Sequence, residues 1–243
     1  MKKSKTRIFV NKSISPNLMI YIKNKQHHFL KNVLRIKIND IVHVFDGITG
    51  EWESKVLTIN RNNIVLRVSK KIKELEKISD IWLIFSPIKK TRMSIAVQKA
   101  TELGVSKIIP CLTEFTDIFA LNRESLKLNA IEAAEQSRRL EVPEIIEPIK
   151  LTSILQDWPN DRYIIYCDEN LDTDTSITKV LKNIKGKCNK WAVLVGPEGG
   201  FSEDEKRIIT EQKRSFAVSL GKRVLRSDTA IIVALYCVQE LAR

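Results

Sequence analysis

The chain is short of the residues that define several protein classes. Of its 243 residues only 4 are cysteine. Cys111, Cys167, Cys188 and Cys237 are scattered and form no CxxC pair, so reduced thiols are expected, with neither a disulfide framework nor a zinc site. The 3 histidines, His27, His28 and His43, fall in no HExxH or mixed Cys/His spacing, which argues against a metal centre. Long apolar runs are also missing. The longest uninterrupted one, AIIVALYCV from Ala230 to Val238, is far below the roughly 20 residues that span a bilayer. The amino-terminal MKKSKTRIFVNKSISP carries the charge of a signal peptide without its apolar core. A soluble, cytoplasmic protein is expected.

Basic residues are plentiful. Lys and Arg number 41 against 29 Asp and Glu, a formal net charge of +12. Such an excess favours a polyanionic partner, with nucleic acid the leading candidate; the competing reading is a basic solvated surface with no specific partner. The length allows one large domain or two modest ones.

Two compositions succeed one another along the chain. IVHVFDGITGEWESKVLTINRNNIVLRVSK reads as short strands broken by turns, at Asp46-Gly47, at Thr49-Gly50 and at Asn60 to Asn63. So many short strands in so few residues suggest a small β-barrel. HHFLKNVLRIKIND, before them, suits a short helix leading into a strand. The charged KKIKELEKISD, residues 70 to 80, reads as a linker or an exposed connecting segment. Beyond it strands and helices alternate. IWLIFSPI is an apolar strand, and TRMSIAVQKATEL places Met93, Ala96, Val97, Ala100 and Leu103 at helical spacing before a stop at Gly104. VSKIIP is the next strand. Strand, helix, strand in about thirty residues is a βαβ unit and implies a parallel sheet. ESLKLNAIEAAEQSRRL reads as a helix, RYIIYCDE and KWAVLVG as strands, and SDTAIIVALYCVQELAR as the last helix. The expected organisation is therefore a barrel over residues 1–72 and a parallel α/β domain over 73–243.

The 8 glycines are unevenly spread, and Gly196, Gly199, Gly200 and Gly221 fall in two loops. The first, LVGPEGGFSEDE, opens at the carboxyl end of a buried strand, where open parallel sheets bind ligands. Ser202 and Glu205 have the spacing of a capping box for the following helix. The loop is neither a phosphate-cradling GxxxxGK[ST] nor a dinucleotide GxGxxG, since its spacing is GxxGG. With Glu203, Asp204 and Glu205 opening the helix, an uncharged or cationic ligand suits it better than a phosphate; a purely structural turn is the competing reading. The second loop follows the strand FAVSLG, and KRVLRSDTA leads into the last helix, capped by Ser227 or Asp228. Both loops should open at one edge of the sheet and enclose a flat small molecule between backbone amides and apolar side chains such as Leu220 and Leu225.

VGPEGGFSEDE followed by LGKRVLRSDTA resembles the ribosomal small-subunit RNA methyltransferase E family of the SPOUT superfamily. The resemblance extends to RMSIAVQKATELGVSKIIP, AAEQSRR, RIFV and HHFLKNVLR, and so over nearly the whole chain. It implies a SPOUT-type parallel sheet with a carboxyl-terminal trefoil knot, a PUA-like β-barrel at the amino end, S-adenosylmethionine as cofactor, a homodimer, and methylation of N3 of one uridine in the decoding region of 16S rRNA in the small ribosomal subunit. By the same resemblance Gly196, Gly199, Gly200, Leu220, Gly221, Leu225 and Arg226 line the cofactor pocket, the glycines letting main-chain amides approach the ligand. Glu198 is a candidate to hold the sulfonium or the base, or else a structural carboxylate near a helix.

Arg138 or Arg139 is the candidate to stabilise negative charge on a uracil oxygen; both otherwise serve a helix carboxyl terminus. Arg7, His28, Arg35, Lys89, Lys90 and Arg92 are the expected RNA contacts, with Phe9 and Phe45 either stacking on bases or belonging to the core. Two positions depart from the family pattern. Asp228-Thr229 stands where Glu-Thr is usual, and Arg138 where a small residue precedes the arginine. The rival readings are a non-catalytic RNA-binding or ribosome-assembly protein, and a SPOUT enzyme acting on ribose or another base.

Overall fold

The computed structural model describes residues 6–75, 80–117, 121–171, 175–187 and 189–241, so Cys188 and part of the expected linker lie outside the described residues. The chain forms two compact units. One comprises the described residues up to 75 together with 134–142, and the other 80–133 and 143 onward.

The first unit is built on a five-stranded sheet: β1 (Arg7–Phe9), β2 (Met19–Ile22), β3 (Ile41–Phe45), β4 (Glu51–Ile59) and β5 (Ile64–Lys73), in the order β1-β3-β4-β5-β2. β1 runs parallel to β3, and the remaining pairs are antiparallel. Ile8, Ile20, Val44, Val56 and Leu66, one from each strand, meet in a single core with Leu30. A sheet whose every strand faces the same core has to curl around it, and three register shifts between β4 and β5 supply the bend. Leu30 comes from a π-helical turn, Phe29–Val33, that continues α1 (Asn24–His28).

The turn readings hold in the β3–β4 and β4–β5 connections. Buried Asp46 fixes the first, accepting from the Ile14, Ile48 and Thr49 amides and from the Thr49 hydroxyl. The linker reading fails at its start, because β5 runs on to Lys73. Lys70 and Lys71 pair there with Glu53 and Trp52, and the Lys71 ammonium sits 5.3 Å from the Trp52 ring centroid. Four methylenes per lysine let a charged stretch form a strand whose ends stay in water.

Residues 134–142 complete this unit from far along the chain. Ala134 and Leu140 are buried with Phe45. The Arg7 guanidinium donates to the Ala134 and Arg139 carbonyls at 3.0 and 2.9 Å and to Glu51 at 2.9 Å.

The second unit is a seven-stranded parallel sheet. It comprises β6 (Asp80–Phe85), β7 (Lys107–Leu112), β8 (Glu144–Ile145), β9 (Ile149–Lys150), β10 (Tyr163–Cys167), β11 (Lys190–Val195) and β12 (Ser215–Val218). The order is β12-β10-β11-β6-β7-β8, and β9 also pairs with β7. Side chains alternate across it. Ile84, Ile164, Tyr166, Ala192 and Leu194 share one core with Leu151 and Leu155 of α4 (Leu151–Gln156) and Ile209 of α6 (Glu203–Thr210). α7 (Ser227–Leu241) packs on β11 and β6, and also against α2 (Lys90–Glu102) and α5 (Ile177–Ile184). Met93, Ala96, Val97 and Ala100 of α2 are buried, as their spacing predicts. α3 (Arg123–Ser137) begins in this unit and ends in the first.

Candidate functional site

The carboxyl ends of β10, β11 and β12 open into a cavity of about 390 Å³. Three segments wall it: residues 166–170 at the end of β10, 195–201 at the end of β11, and 220–221 with 223–227 after β12, with Ala230 of α7 behind them. Gly196, Gly199, Gly200, Leu220, Gly221, Leu225 and Arg226, read from the sequence as one pocket, all line it, and so does Glu198.

The glycines are there for different reasons. A Cβ at Gly196 would lie 2.7 Å from the Phe201 ring, which is buried edge-on against Tyr166 with centroids 5.3 Å apart. A Cβ at Gly199 would lie 3.1 Å from Cβ of Phe115. Two of the glycines thus make room for the protein's own aromatic rings. Gly200 has φ +73° and Gly221 φ +125°, which L side chains rarely adopt. The Gly200 turn is closed by its N–H donating to the Pro197 carbonyl at 3.0 Å.

The capping box is formed. Ser202 Oγ accepts from the Glu205 N–H, and Glu205 Oε2 accepts from the Ser202 N–H at 3.0 Å. Glu205 Oε1 also accepts from the Glu114 N–H at 2.9 Å, which fastens the loop after β7 to the start of α6. Ser227 lies inside α7, and its hydroxyl donates to the Gly196 carbonyl at 3.4 Å, tying the two glycine loops together. Oδ1 of half-buried Asp228 is enclosed with no hydrogen-bond partner among the described residues.

Sequence reasoning missed the β10 wall. Asp168 accepts from the Tyr166 hydroxyl at 3.2 Å and from the Asn170 N–H at 3.0 Å, so its carboxylate is held in place beside the cavity. Burial and that carboxylate push the Tyr166 phenol well up, which keeps it a donor. Burial pushes the neighbouring Cys167 thiol up to about 12. Lys206 and Arg223 complete the polar lining. The signal was present in YCDEN, an apolar strand ending on a carboxylate and an amide.

The other candidates are distributed as follows. Arg92 Nη1 donates to Glu198 Oε1 at 3.3 Å, so a residue assigned to RNA and one assigned to the cofactor are partners. Lys89 and Lys90 are exposed at the start of α2. His28 and Arg35 are exposed on the first unit. Arg7 is only 9% exposed. With its donors spent on Glu51 and three carbonyls it is a structural residue, and the reading of it as an RNA contact is corrected. Phe45 is fully buried beneath the Arg7 guanidinium, and Phe9 packs edge-on against it.

Arg138 and Arg139 belong to the first unit. Arg138 is exposed at φ +62°, just past the end of α3. Arg139 is half-buried, and burial lowers its guanidinium to about 10 although Glu141 opposes the shift. Among the described residues no three His, Cys, Asp or Glu are grouped to hold a metal ion, and no helix is long and apolar enough to cross a membrane.

Comparison with known proteins agrees with this anatomy. Residues 74–239 match the RNA methyltransferase domain family and residues 22–69 the RNA methyltransferase PUA domain family. Fold and site thus define an RNA methyltransferase of the SPOUT class with an amino-terminal PUA domain. The chain is 33% identical to a ribosomal RNA small subunit methyltransferase E of Rickettsia conorii, over 97% of this chain and 95% of the relative. It is 30% identical to the enzyme of the same name from Buchnera aphidicola, over 98% and 97% of the two chains. The crystal structure of the Neisseria gonorrhoeae enzyme of that name, bound to S-adenosyl methionine, superposes with a TM-score of 0.87 at 26% identity over 98% of both chains. The protein belongs to the ribosomal RNA small subunit methyltransferase E family.

Proposed function

We propose that the protein transfers a methyl group from S-adenosylmethionine to N3 of one uridine in 16S rRNA. The observation that carries this reading is the cavity at the carboxyl ends of β10, β11 and β12, in a chain that matches the family over nearly its whole length. Its size falls within the roughly 300–1,000 Å³ of small-molecule sites. Its lining suits a flat, cationic cofactor: backbone of the glycine loops, Leu220 and Leu225 for apolar contact, and the carboxylates of Asp168 and Glu169. Bound there, S-adenosylmethionine supplies an electrophilic methyl on a sulfonium.

The chain's own residues do the rest. Gly196 to Gly200, Leu220, Gly221, Leu225 and Arg226 hold the cofactor, and Asp168, fixed by Tyr166 and Asn170, orients its positive end. The uridine N3–H loses its proton as the new N–C bond forms, so a nearby group must accept that proton or stabilise the anion. Holding both reactants in line supplies much of the acceleration. His28, Arg35, Lys89 and Lys90 hold RNA phosphates. The return of α7 to pack on β11 and β6, after a strand at the far edge beyond β10, supports the knotted path. Exposed Tyr236 with half-buried Ile232, Val233 and Cys237 in the apolar run of α7 supports a homodimer across that helix, which light scattering tests by mass.

Titration calorimetry with S-adenosylmethionine, followed by nuclease digestion and mass spectrometry of small-subunit rRNA, tests the whole reading. Cofactor binding and 3-methyluridine are expected. A chain that ignores the cofactor is a binding module, and ribose-methylated uridine moves the activity to a sister class.

A further inference from the structure

The loop after β7 is held more firmly than its surface position requires. The Thr113 amide donates to Thr116 Oγ1 at 2.8 Å, the Thr113 hydroxyl lies 3.3 Å from Ser86 Oγ, and the Glu114 amide is gripped by Glu205. All three contacts are buried or partly buried. Yet the one large side chain in this restrained turn, Phe115, is 45% exposed. It packs its Cβ against the Gly199 backbone and is absent from the cavity wall that Gly199 helps to form. Its ring therefore lies next to Gly199 and outside the cavity lining. Glu198, the next residue of the glycine loop, carries the Arg92 guanidinium.

An exposed aromatic ring on a restrained turn, next to a loop that holds a guanidinium, is a combination that can receive an unstacked base. Uracil N3 lies on the pairing edge of the base and is hidden while the base is paired, so a reaction there needs the base freed and held. We propose that Phe115 is the shelf on which the target base stacks once extruded, with Glu205 as the positioning residue that sets the shelf against the glycine loop. This rests on the methyltransferase reading above. It goes beyond it by naming where the base lies and what holds it.

Phe115→Leu keeps apolar packing on Gly199 and removes the π face, whereas Phe115→Trp keeps the face. Three quantities are measured on the intact protein: cofactor affinity by calorimetry, kcat/KM on small-subunit particles, and the fluorescence of a single-stranded RNA containing one 2-aminopurine, which is quenched on stacking. For Phe115→Leu we expect unchanged cofactor affinity, a loss of about ten- to a hundredfold in kcat/KM, and loss of quenching. Phe115→Trp should restore both. Wild-type turnover in Phe115→Leu, or equal losses in the Leu and Trp variants, overturns the shelf. Quenching that depends on Phe115 in a protein that methylates nothing would leave the shelf standing and remove the methyltransferase reading. Absence of quenching in the wild type removes the shelf alone.

Discussion

Arg92 and Glu198, 106 positions apart in sequence, meet at 3.3 Å and join the first turn of α2 to the glycine loop after β11. Both side chains are partly open to solvent, at 31% and 56%. A pair that exposed is worth about 0–1 kcal/mol to the fold. Glu198→Gln and Arg92→Ala are therefore expected to leave the melting temperature nearly unchanged. Any loss of turnover in them reports on substrate or cofactor handling. Arg92→Ala frees the Glu198 carboxylate, so the double variant should lose less than the sum of the single losses. Steady-state methylation of the four proteins checks this.

Gly196→Ala would place a Cβ 2.7 Å from the Phe201 ring. Overpacking of this kind typically costs about 1–3 kcal/mol. Thermal unfolding should show the loss, and cofactor affinity should fall with it because both residues line the cavity. Phe201→Leu, which shortens the intruding ring, should recover part of both losses when combined with Gly196→Ala. A double variant no better than Gly196→Ala would show that the glycine is needed by the ligand rather than by the ring.

Arg7→Ala is expected to damage the first unit. Removing one partner of a buried ion pair typically costs about 3–5 kcal/mol, and three carbonyls lose a donor with it. Lysine should rescue poorly, since an ammonium cannot reproduce the guanidinium fork. Burial raises the Glu51 carboxyl, but hydrogen bonds from His43 and Arg7 and the Arg7 charge outweigh it, and the group titrates below its ordinary 4.5. A depressed carboxyl contributes stability above that ordinary value and loses it as pH falls through the lower folded one. Unfolding followed from pH 7 downward should show this acid limb in the wild type and a flatter one in Glu51→Gln.

RNA affinity should fall steeply with salt, because phosphate contacts release counterions. Arg35→Ala and Lys90→Ala each remove an exposed cation. Each is expected to shallow the salt slope by about one contact's share and to leave cofactor affinity intact. Filter binding across a salt series checks it.

The parallel sheet, the capping box and the two glycine loops were legible because each rests on local chemistry: apolar runs, Ser202 with Glu205, and glycines at strand ends. The β10 wall was not. β10 precedes β11 by a whole helix yet lies between β11 and β12 in the sheet, and no local pattern encodes strand order. Phe115 was hidden for the same reason, since only the packing of β7's loop on Gly199 brings it beside the glycine loop. Arg7 misled because an arginine in a short apolar strand at the start of a basic chain looks like surface. Its acceptors, the carbonyls of Ala134 and Arg139, lie in a segment that the sequence assigns to the other unit.

That borrowed segment has a consequence in time. While the chain is being made, the first unit's strands emerge complete, but residues 134–142 follow about sixty residues later. At roughly 5–20 residues per second, the delay is about 3–12 s. For that interval Arg7 and Glu51 sit in a half-built core with each other but without the helix end that caps them. A nascent chain stalled before residue 134, or a gene fragment cut at the apparent domain boundary, should be a substrate for proteases and chaperones, and only the arrival of α3 ends that exposure.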